Sequence, residues 1–130
     1  MAFTNETAEK ILNKILRSTD FTDATDLFIS IHSADPGNDG LTAEITGYTG
    51  TDRPAITFNL ASTDKVTEND ADIDYLVMPA ITVTHAGLFD QAAHGGGVFW
   101  WSGALAVPRV VAAGDTFRFP QTTGVVVTLT

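Results

Sequence analysis

Cysteine is absent from the 130 residues, and with it go disulfide frameworks, thiolate catalysis and Cys-ligated zinc sites. Such a chain suits folding in a reducing cytoplasm. Basic residues are scarce, seven against 16 acidic, for a formal net charge of −9. A surface of that sign repels nucleic-acid phosphates and anionic membranes, so neither is an expected partner. No apolar run approaches the ~20 residues that cross a bilayer, and the N-terminus lacks the uninterrupted apolar stretch of a signal peptide. The expectation is a soluble chain that is not exported that way. Repeats, low-complexity tracts and linkers are also missing, which at this length favours a single domain over 1–130.

With 44% apolar and only 18% charged residues, the chain is too apolar for disorder and should be ordered outside a few loops. Over 7–17, Ala8, Ile11, Leu12, Ile15 and Leu16 recur at the spacing of one helical face. Thr4 or Asn5 can cap this helix, Glu6 and Glu9 suit its positive end, and Lys14 and Arg17 its negative end. About three turns of helix are marginal alone in water, so it must pack on something. Three of the seven basic residues fall within 1–17, leaving four against 14 acidic over 18–130. The helix is slightly positive and the rest strongly negative.

Beyond the helix the period drops to two. Leu27, Ile29 and Ile31 alternate with Phe28, Ser30 and His32, which predicts a strand with one buried face. Asp35-Pro36-Gly37-Asn38-Asp39-Gly40 opens a long polar loop reaching Asp52, a suitable place for subunit contacts. Further strands are expected over 55–60, with Ile56, Phe58 and Leu60 on one face, near Val66, and over 72–77, with Ile73, Tyr75 and Val77 inward. The segments 81–89, 98–105, 109–111, 116–119 and 125–129 complete the series. Eight or nine short strands after one helix (1–17, then a β region over 18–130) predict a mainly β fold, a jelly-roll-like β-sandwich.

Nothing in the chain spells out catalysis. Asp70, Asp72 and Asp74 imitate the start of a calcium loop, but Tyr75 stands where Gly is needed and Ile81 where the bidentate Glu is needed. They read better as the solvent face of a strand. Asp35, Asn38 and Asp39 are turn residues that bond their own backbone before they hold an ion. His32, His85 and His94 lack zinc spacing and read as hydrogen-bonded structural histidines. Gly95-Gly96-Gly97 precedes a strand and not a helix, so it reads as a flexible hairpin tip and not a phosphate cradle. No metal or other cofactor is expected. In the Trp100-Trp101 pair, alternation should bury one indole and bring the other to the surface, unless both sheet faces are covered.

Several segments in order then resemble a family of small structural proteins of tailed bacteriophages, often labelled tail-fibre proteins. They are 11–17, 26–32 with Ala34-Asp35-Pro36-Gly37, Gly47-Tyr48, 53–58, 84–90, Trp101, Leu105 and 113–117. Asp52-Arg53-Pro54 and the doubled Trp depart mildly from it. The resemblance implies a virion part without catalytic residues, made in the host cytoplasm. Lacking repeats and coiled coils, a compact module suits studding a surface better than extending a fibre. A capsid decoration or cement protein is therefore the leading expectation. It would be a homo-oligomer, most simply a trimer, that binds other virion proteins such as the major capsid protein. Ile11, Lys14 and Arg17 of the helix, Tyr48 of the 34–52 loop, Trp100 and Trp101 are the expected partner contacts. If the helix is the anchor, 18–130 should fold without it. A tail-fibre or baseplate module at the host surface is the alternative. Behind it stands a carbohydrate-binding module, with an exposed indole beside Asp90 or Asp72, and last an enzyme.

Overall fold

The computed structural model describes residues 2–128. It is mainly β, with nine strands among those residues and one N-terminal helix. The strands are β1 (Ala2–Phe3), β2 (Leu27–His32), β3 (Ala55–Ile56), β4 (Val66–Glu68), β5 (Ile73–Tyr75), β6 (Ile81–Phe89), β7 (Phe99–Val111), β8 (Phe117–Phe119) and β9 (Val126–Thr128); α1 spans Asn5–Arg17. All pairings are antiparallel, in one five-stranded sheet of order β1-β7-β6-β2-β3 and two pairs, β4-β9 and β5-β8.

The main core lies between the large sheet and the β5-β8 pair. Ile29, Ile31, Val83, Ala86 and Leu88 meet Ile73, Tyr75, Phe117 and Phe119 there. Tyr75 Oη donates to the Ile29 carbonyl at 2.7 Å, which satisfies a phenol 1% exposed and ties the two layers together. Asp74, between Ile73 and Tyr75, points to solvent as the alternation requires.

β2 differs from the one-sided strand expected. Ser30 and His32 are as buried as Ile29 and Ile31, because loops cover the second face. Gly40 approaches the stacked Phe89 and Phe99 rings so closely that a Cβ would stand 2.6 Å from both, at a φ of +73°. Only glycine fits there. The 55–60 segment is shorter than expected: it pairs over Ala55–Ile56, Phe58 bridges to Asn69, and Leu60 projects outward. Val77 also points outward, at a φ of +51°, and Met78 takes the buried place. The segments 98–105 and 109–111 form one strand. Val83 pairs with Arg109 and His85 with Ala104, leaving 105–108 bulged opposite Thr84, where Pro108 lacks an N–H to pair. Leu129, part of the last expected strand, lies outside the described residues.

Candidate functional site

Helix α1 begins where the sequence allows a cap. Thr4 Oγ1 accepts from the Thr7 N–H at 3.2 Å and donates to the Phe99 carbonyl at 2.6 Å, so one hydroxyl both starts the helix and fastens it to β7. β1 pairs with β7 just before it. The boundary after residue 17 therefore does not part helix from sheet. Only one flank of the apolar stripe is covered: Thr7 is buried and Ile11 half-buried, whereas Leu12, Ile15 and Leu16 stand in solvent.

Trp100 and Trp101 do not alternate. Leu88 pairs with Trp101 and Phe89 with Phe99, so Trp100 is the extra residue of a β-bulge. Its indole is 4% exposed, packs against Phe21 at 6.0 Å and lies under Lys10 Nζ at 4.9 Å. Its Nε1–H is buried without an acceptor among the described residues. Trp101 is half-buried, with Phe3 at 4.9 Å from its ring. Neither indole is an open platform for a sugar ring. Ile11, Trp100 and Trp101 come together with Phe21, Ala24 and Leu27 around one hollow of about 250 Å³. Lys14 is exposed and pairs with Asp20, and Arg17 is exposed in the last turn. Tyr48 lies elsewhere, 7% exposed, edge-on to Tyr75 at 4.9 Å.

Tyr48 belongs to a polar knot that local sequence patterns do not announce. Arg53, 2% exposed, donates through Nε and Nη2 to Glu44 at 2.7 and 3.0 Å. Its Nη1 donates to the carbonyls of Gln91, Ala93 and Gly96 at 2.9 to 3.0 Å. The guanidinium also lies 3.6 Å from the Phe89 ring centroid. His94 Nδ1 donates to Glu44 at 2.7 Å, and Tyr48 Oη and His94 Nε2 share a hydrogen bond at 3.2 Å. Burial would raise the Glu44 carboxyl, but the Arg53 and His94 bonds together outweigh it and hold it below the ordinary value. Burial, with the Glu44 charge nearby, pushes the Tyr48 phenol up to about 12. The knot joins the 34–52 loop to the glycine loop, so 95–97 is a fastened turn rather than a free tip. The one signal in the sequence is an Arg directly before Pro54, in a chain with few cations.

The family described as podophage GP4 fiber I protein gp80 matches residues 2–127. The chain belongs to this family. No curated protein matches it. As a member of a phage fibre family it is a structural component of the virion.

The other candidate positions of this fibre-family chain are occupied by internal bonds. Asp74 pairs with Arg118 at 2.6 Å, and the Arg118 guanidinium holds its carboxyl below the usual range. Asp72 accepts from the Gln121 N–H at 2.7 Å, and Asp70 from Thr57 Oγ1. Asp35 and Asp39 accept from the Gly37 and Leu41 N–H groups, closing Asx turns as their types suggest. Among the described residues no three His, Asp or Glu side chains converge as metal ligands, and no helix is long and apolar enough to cross a membrane. Ser30 Oγ meets His32 Nε2 at 2.8 Å, superficially a nucleophile and its base, but both side chains are fully buried and closed to a substrate. His32 Nδ1 donates to the Thr42 carbonyl at 2.9 Å. A carbonyl only accepts, and burial favours the neutral ring, so Nε2 is an acceptor for the Ser30 hydroxyl, which also lies 3.3 Å from the Gly87 carbonyl. His85 bonds Thr84 Oγ1 at 2.8 Å.

Proposed function

We propose that the chain is a non-catalytic building block of a phage fibre, joined to its neighbours in the virion through the outer flank of α1. The observation that carries this reading is the split stripe of the helix: Ile11 packs on the body while Leu12, Ile15 and Leu16, at the same helical spacing, stand mostly in solvent. A ridge of large apolar side chains on an otherwise strongly acidic protein marks an interaction surface. The family to which residues 2–127 belong supports the fibre assignment.

The second reading is a decoration of the head surface, in which the helix contacts the major capsid protein. It is supported by a chain that has neither repeats nor a coiled coil to give a fibre length.

Image reconstruction or antibody labelling of intact particles tests both. Signal at the tail supports the fibre, and a regular lattice over the head supports decoration. Deleting residues 1–17 is a poor companion test, since it also strips β1 from β7 and removes Thr7, Lys10 and Ile11 from around Trp100. Replacing Leu12, Ile15 and Leu16 by Ser is the cleaner one. Incorporation of that variant at normal occupancy overturns attachment through the helix.

A further inference from the structure

The outer flank of α1 is bare, and an apolar trough lies beside the helix. The ridge consists of Leu12, Ile15 and Leu16, which are 56%, 71% and 74% exposed. The trough consists of two hollows of about 250 and 240 Å³ that share Leu27 and Trp101 as a common wall. Its far part is walled by Phe58, Ala61, Leu88 and Val127, with Leu60 projecting at its edge, 98% exposed. Side chains of leucine and isoleucine at helical spacing are the natural filling for an apolar trough of this kind.

Charge adds to this at the last turn of the helix. Of the three cations of residues 10–17, Lys10 pairs with Glu6 and lies over Trp100 in the trough, and Lys14 pairs with Asp20. Arg17, in the last turn of α1, makes no ion pair among the described residues. Asp23 lines the trough, and Asp26, exposed, adjoins Leu27 in its wall. A basic helix end and an acid-edged trough attract each other between copies and repel their own kind.

We propose that this face binds a second copy of the chain, the α1 ridge of one copy lying in the trough of the next. The inference rests on the fibre reading above, in which neighbours meet through α1. Within one molecule the ridge cannot fill the trough, because Ile11 of the same helix already forms part of its wall. Ridge and trough on one molecule, with opposite charge, are what a contact between identical chains requires. Such copies close as a dimer about a two-fold axis, or, joined head to tail, close into a larger ring or extend into a filament.

Sedimentation of the full chain, read together with directed cross-linking, tests this. The expected mass is that of two or more chains, falling to a single chain when Leu12, Ile15 and Leu16 are all Ser while the circular dichroism stays unchanged. The natural chain has no cysteine, so an Ile15→Cys variant mixed with a Leu60→Cys variant should form a disulfide-linked pair faster than either alone. A single-chain mass for the unmodified protein, an oligomer that survives the triple substitution, or no preferential cross-link overturns the proposal. A monomer that still labels the particle tail overturns only the contact between copies. An oligomer held by this contact but absent from particles overturns only the fibre reading.

Discussion

A guanidinium that is 2% exposed must find acceptors on every side, and Arg53 finds five bonds, two of them on a single carboxylate. Lysine, a point charge with three donors, cannot reproduce that fork. Arg53→Ala leaves Glu44, whose side chain is 8% exposed, with only its His94 bond, and breaking a buried pair of this kind costs about 3 to 5 kcal/mol. Denaturant unfolding should record a loss of that size, with Arg53→Lys recovering little of it. Gly40→Ala should also be severely destabilising, since the new Cβ runs into Phe89 and Phe99 at 2.6 Å in a left-handed backbone conformation; a thermal melt within a degree of the parent would contradict that packing. Two buried groups set the response to acid. His32 is depressed below its ordinary 6.5, chiefly by desolvation, against the opposing pull of its Thr42 bond and of Glu44. Glu44 is depressed below 4.5 by the bonds described above. Each such group contributes stability that is complete above its unfolded-state value and is lost as pH falls. The melting temperature should therefore decline from about pH 6.5 downward and again below about 4.5, and His32→Gln should flatten the first decline. A profile indifferent to that substitution would remove His32 as its source.

At the scale of elements, α1 is held by its first turn and free at its last. Thr4→Ala removes the cap and the bond to the Phe99 carbonyl together, and caps of this type are worth about 1 kcal/mol, up to about 2. Equilibrium unfolding should show that loss, accompanied by an increase in Trp100 accessibility that fluorescence quenching detects. Ser at positions 12, 15 and 16 should behave oppositely. These side chains are mostly exposed in their own molecule, so within a single chain each change should stay within about 0.5 kcal/mol, and at concentrations too low for association unfolding midpoints should hardly move. β7 shows how an element can be right in place and wrong in detail. Its two irregularities, at Trp100 and over 105–108, turn side chains away from the faces that simple alternation assigns.

For the whole molecule, the proposed contact sets an apolar helix end with its Arg17, unpaired among the described residues, against an otherwise acidic surface, so its adhesion combines apolar burial with charge. The charge component of that adhesion should weaken with salt and the apolar component should not. Association measured across ionic strengths should therefore fall partway and level off; complete loss at high salt would mean that the ridge contributes nothing.

Features generated by neighbours in the chain are legible in the sequence itself. The helix end at Arg17, the bounds 81–89 of β6 and the inward Ile73 and Tyr75 all follow from local period and capping chemistry, and the fold has them as expected, with Thr4 as the cap of the two candidates. The ordered similarity of short segments is likewise enough to point to a phage structural family. Tertiary contact decided the rest. Ser30 and His32 became core because the loop after β2 folds back over them, and Trp100 turned under the helix because β7 carries one residue more than β6 at that point. Arg53 became the centre of a knot through carbonyls 38 to 43 residues away in sequence. A period of two or 3.6 reports which side of an element is apolar. What covers that side depends on contacts made across the chain, so only the folded molecule shows that Ile11 is packed while Leu12, Ile15 and Leu16 are left bare.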